Sequence, residues 1–102
     1  MKKSLYLLPA LALAFGVQAA TPEEAMNKAG CMACHAKDKK LVGPSFKDIA
    51  AKYKGQDVTA KLMEKVRKGG AGSFGPIPMS PNGADKINDA DLKAAVAFIL
   101  KS

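Results

Sequence analysis

The sequence predicts a single all-α domain of about four helices, on three observations. Four stretches place apolar residues at i, i+3 and i+4 spacing behind a Ser, Thr, Asp or Asn that can cap a helix. No alternation of apolar and polar residues competes as a strand. One pentapeptide, Cys31-Met32-Ala33-Cys34-His35, follows the first stretch and gives so short a chain something to fold around.

The first 19 of the 102 residues are read as a leader outside the domain. Lys2 and Lys3 form a basic start, and Leu5 to Val17 is an apolar run without charge. That run is shorter than the roughly 20 residues a membrane span needs. Val17-Gln18-Ala19 places small residues at −3 and −1 of a cleavage site. A secretory signal peptide over 1–19 is expected, leaving a domain of residues 20–102 with no stable membrane anchor. Losing Lys2 and Lys3 lowers the net charge from +7 to +5. Export also removes the basic chain from nucleic acid, so no nucleic-acid partner is expected.

Thr21-Pro22-Glu23-Glu24 opens the first helix: Thr21 caps it, Pro22 suits the first position, and Glu24 completes a capping box. Ala25, Met26 and Ala29 make its apolar stripe, and Gly30 is read as allowing close approach of another backbone. Residues 36–43 form a basic loop with Lys37, Lys39 and Lys40, closed by the Gly43-Pro44 turn. Ser45 with Asp48 caps a second helix carrying Phe46, Ile49, Ala50 and Tyr53, ended by Gly55. Asp57 caps a third, with Val58, Leu62, Met63 and Val66 on its apolar face, stopped by Gly69-Gly70. Residues 71–85 read as a long irregular loop stiffened by Pro76, Pro78 and Pro81. Asn88 caps the last helix, whose buried stripe is Leu92, Ala95, Val96 and Ile99.

The pentapeptide has the C-x-x-C-H pattern of a c-type haem attachment site. A helical turn brings residues three apart to one face, about 5–6 Å between Cβ atoms, so Cys31 and Cys34 can each form a thioether with one haem vinyl group. His35 follows directly and reaches the iron from the same side. A structural zinc site needs four Cys or His ligands, against two Cys and one His here. A thioredoxin-like pair needs a βαβ context. A plain disulfide suits an exported chain but leaves His35 without a role.

With one histidine in the chain, a second axial ligand must come from the methionines. Met1 leaves with the leader, Met26 and Met63 sit at core spacing, and Met32 lies inside the attachment turn. Met79, in the Pro-rich loop, is the expected distal ligand. A His/Met pair raises the reduction potential. With both axial positions filled, the expected work is outer-sphere electron transfer rather than catalysis.

Gly30 to His35, Val42-Gly43-Pro44 and Gly75-Pro76-Ile77-Pro78-Met79-Ser80-Pro81-Asn82 together resemble the small bacterial class I cytochromes c, the c-551 and c-552 type. The likeness spans residues 20–102 in order. It implies the class I cytochrome c fold, about four helices wrapped around one covalently bound haem c. It further implies that the Pro44 carbonyl accepts the His35 Nδ1–H, and that Asn82 donates to the Met79 sulfur. The first and last helices would cross with Gly30 at the contact. Relatives often carry Trp where Phe74 stands, its N–H bonding a haem propionate. Phe74 lacks that donor, so it is expected to cover the haem edge while Arg67 or a lysine takes the propionate.

The expected function is a soluble periplasmic electron carrier, a monomer working between redox protein donors and acceptors of the respiratory chain. The lysine excess suggests acidic docking surfaces on them. The rival readings are a haem enzyme or gas sensor, which needs an open iron position, and a subunit of a larger oxidoreductase.

Overall fold

The structure, a computed structural model, describes residues 20–102. The expected signal peptide at 1–19 lies outside the described residues. The described residues form four α-helices: α1 (Pro22–Ala29), α2 (Phe46–Lys52), α3 (Thr59–Lys68) and α4 (Asp89–Leu100). A 3-10 turn, Cys31–Ala33, follows α1.

Caps set most of the helix starts. Thr21 Oγ1 accepts from the Glu24 N–H at 3.2 Å, Ser45 Oγ from Asp48 at 3.0 Å, and Asn88 Oδ1 from Asp91 at 2.8 Å. Each satisfies an amide that has no partner inside its helix. The third start differs from expectation by one residue. Val58 occupies the cap position and is buried, while Asp57 reaches only the Thr59 N–H at 3.4 Å. Burying Val58 fixes the chain there, and the carboxylate adapts. The second helix ends at Lys52, before Gly55, which serves the turn beyond it at φ +77°.

α4 is the central element: α1, α2 and α3 all contact it. Leu92, Ala95 and Val96 of α4 pack with Ala25 and Met26 of α1, Phe46 of α2, and Ile87. Phe46, Met26, Leu92 and Val96 are its largest fully buried side chains. Leu62, Met63 and Val66 lay the apolar face of α3 on this cluster without being fully buried. α1 does contact α4, but Gly30 is not there to let them meet. A Cβ on Gly30 would find no protein atom within 4 Å, whereas its φ of +87° closes the end of α1 in the left-handed region.

The stretch read as an irregular loop contains an antiparallel hairpin, β1 (Gly70–Gly72) and β2 (Gly75–Met79), pairing Gly70 with Met79 and Gly72 with Gly75. Gly69, Gly70, Gly72 and Gly75 all take positive φ, which glycine alone adopts freely. Both strands are edges, so prolines that lack an N–H are tolerated in β2.

Candidate functional site

The attachment residues lie on one tight turn. Gly30 reverses the chain after α1, and the 3-10 turn is closed by the Cys34 and His35 amides, both bonded to the Cys31 carbonyl at 3.2 and 3.0 Å. Cys31 and Cys34 are free thiols, the first half-buried against the core and the second exposed. Burial pushes the Cys31 thiol above its ordinary value; a backbone hydrogen bond pulls it down, and Cys34 adds a smaller upward push.

His35 is the most constrained member. Its Nδ1 lies 2.7 Å from the Pro44 carbonyl oxygen. A carbonyl only accepts, so Nδ1 carries a proton, and in the neutral ring Nε2 then keeps its lone pair. The ring stacks on Phe46 with centroids 5.6 Å apart. Gly43 fills the remaining side, where a Cβ would sit 2.7 Å from His35 Cε1. The basic loop is folded back to achieve this: Gly43 N–H donates to the Cys34 carbonyl at 2.8 Å, and Phe46 N–H to Ala36 at 3.0 Å.

Met79 ends β2 and is half-buried. Gly69 seats it, since a Cβ there would overlap the Met79 carbonyl oxygen and lie 2.8 Å from Pro81 N. Asn82 departs from expectation. Its Nδ2 donates to the Ser80 carbonyl at 3.0 Å and the Val66 carbonyl at 3.4 Å, not to the Met79 sulfur. Its N–H also donates to Val66 at 2.9 Å. The chain after Met79 runs close along α3, so those carbonyls take both amide protons, and Asn82 ties this segment to α3.

Arg67 makes the same connection and is not available beside Phe74. Its Nη1 donates to the carbonyls of Asn82 at 3.2 Å and Ile87 at 2.7 Å, and its Nη2 pairs with Asp89 at 2.6 Å. The cation at Phe74 is Lys52, whose ammonium lies 4.4 Å from the ring centroid and donates to the Ser73 carbonyl. Phe74 meets Tyr53 edge-on at 6.4 Å. Gly43, Gly69 and Arg67 are the contributors that sequence spacing did not reveal. From the sequence, Gly69 reads only as a helix stop and Arg67 only as a candidate cation for the haem propionate.

This donor set suits a covalent haem. Two cysteines that form no disulfide share one turn with an imidazole whose Nδ1 is engaged by Pro44, leaving Nε2 to face a metal. Among the described residues no three His, Cys, Asp or Glu side chains converge as a metal cluster, so a zinc shell has nothing to complete it. Leu41, Val42, Phe74 and Ile77 are large apolar side chains left exposed on the two segments flanking His35 and Met79. An apolar macrocycle is the kind of group such side chains cover.

A cytochrome c family model matches residues 19–102. The chain is 51% identical over 84 residues to cytochrome c2 of Rubrivivax gelatinosus, covering 81% of this chain and 99% of that protein. Cytochrome c552 of Nitrosomonas europaea superposes with a TM-score of 0.69 at 42% identity, over 78% of this chain and 96% of that one. A class 1 cytochrome of Sideroxydans lithotrophicus gives a TM-score of 0.69 at 30% identity, over 79% and 91%.

Proposed function

The chain belongs to the cytochrome c family, with a class I fold and one covalently bound haem c, and from that premise we propose that it is a soluble single-electron carrier of the bacterial periplasm. Cys31 and Cys34 would hold the haem by thioether bonds, and His35 and Met79 would ligate its iron. The bound haem supplies a one-electron Fe(III)/Fe(II) couple.

The protein's own work is positioning and exclusion. The observation that carries the reading is the 2.7 Å contact between His35 Nδ1 and the Pro44 carbonyl. It selects the tautomer with Nε2 free and raises the basicity of that nitrogen. Phe46 and Gly43 stop the ring from swinging away. Gly69, Asn82 and Arg67 hold the segment around Met79 against α3. Phe74 covers the cofactor edge, with Lys52 as the cation beside it.

The signal peptide over 1–19 delivers the chain to the periplasm, and residues 20–102 form its one domain. The protein works as a monomer between respiratory redox partners. Exposed Lys37, Lys39 and Lys40 favour acidic docking surfaces on those partners, chiefly through the encounter rate. With His35 and Met79 both on the iron, no position would be left open for a substrate, which favours a carrier over an enzyme. Carbon monoxide tests this, because it needs an open position. The reduced protein at neutral pH is expected to keep its spectrum under carbon monoxide. Stoichiometric binding contradicts the proposal and favours a haem enzyme or gas sensor.

A further inference from the structure

Asn82-Gly83 is the one Asn-Gly pair in the chain. An asparagine before glycine is open to attack on its carboxamide by the next backbone nitrogen, since glycine has no Cβ to hinder the approach. The fold treats the two reacting groups differently. The carboxamide is buried and held, Nδ2 donating to the carbonyls of Ser80 and Val66. The Gly83 N–H donates to no acceptor among the described hydrogen bonds. Its carbonyl is the anchored group, accepting from Lys86 and Ile87 at 3.0 and 3.3 Å. The nucleophile is thus unengaged while the electrophile is locked.

We propose that Asn82-Gly83 is a fold-gated self-modification site, at which opening of the segment after Met79 is recorded as deamidation. The Gly83 nitrogen bonds to Asn82 Cγ, the Cγ–Nδ2 bond breaks, and the proton lost from Gly83 leaves with Nδ2 as ammonia. Water then opens the cyclic imide on either side, giving an aspartyl or isoaspartyl linkage. Nothing is oxidised or reduced, and solvent water is the only co-reactant. The product carboxylate has no proton to donate at neutral pH, yet it faces the two carbonyl oxygens that the amide had satisfied. Both hydrogen bonds are lost, so the segment tied to α3 through Asn82 loosens. In the folded protein the rate follows the population of the locally open form.

The haem-loaded protein is incubated at mildly alkaline pH, with and without guanidinium. Peptide mapping follows deamidation at Asn82, with Asn27 and Asn88 as internal references. In guanidinium, Asn82 is expected to convert fastest of the three. Without denaturant its conversion slows by at least ~10-fold. The deamidated fraction, formed from folded protein and separated by charge, is expected to show faster amide exchange over residues 80–87, with α1 and α4 unchanged. Equal rates in both conditions remove the gate. No preference over Asn27 and Asn88 in guanidinium removes the site. Unchanged exchange in the modified fraction removes the consequence.

Discussion

Gly43 lies against the His35 imidazole so closely that a Cβ on it would stand 2.7 Å from Cε1 and 3.0 Å from Nδ1. The ring cannot yield without leaving Pro44, and the Gly43 backbone is tied to the Cys34 carbonyl. Gly43→Ala is therefore expected to displace the ring and lower stability by about 1–3 kcal/mol, the usual cost of overpacking. Guanidinium unfolding of the haem-loaded protein measures it, and a wild-type midpoint contradicts it.

Arg67 joins α3 to the segments on either side of Ile87. Its side chain is 23% exposed, while that of its partner Asp89 is 86% exposed. The bonds to the Asn82 and Ile87 carbonyls should therefore outweigh the ion pair, which water screens. Arg67→Ala is expected to cost about 1.5–3 kcal/mol, the range for hydrogen bonds to a charged group. Asp89→Asn should cost under ~1 kcal/mol, including its place at the start of α4. Equal losses for the two substitutions would show that the ion pair is the main contribution.

The protein core is small. Among the described residues Phe46, Met26, Leu92 and Val96 are the largest fully buried side chains, and α3 buries none completely. A domain of this size depends on a staple. The Cys31→Ala/Cys34→Ala chain, which cannot attach haem, is expected to lack stable tertiary structure. Sharp, dispersed amide NMR signals at room temperature contradict this.

Features written in neighbouring residues were legible from the sequence. The caps at Thr21, Ser45 and Asn88 are local hydrogen bonds with a fixed three-residue reach, and the structure contains each. The C-x-x-C-H pattern is likewise local. The hairpin was not legible, because half of Gly70 to Met79 is Gly or Pro and the stretch shows no period-two alternation. Its pairing comes from backbone conformations only glycine adopts freely. Gly30 and Gly43 show the same limit from two sides. Glycine is needed at Gly30 for positive φ and at Gly43 for close contact, and sequence does not tell these apart. The roles of Asn82 and Arg67 depend on where the chain beyond Met79 returns to α3, a long-range fact that no spacing rule contains.

Ligation of the iron by Met79 is the central claim, and the red region of the oxidised protein's absorption spectrum tests it most directly. A weak charge-transfer band of iron–thioether coordination is expected in the wild type and lost in Met79→Ala. Met63→Ala should keep the band and cost only packing, roughly 2–5 kcal/mol at most, since Met63 is partly buried against the core. A band that survives in Met79→Ala contradicts the account.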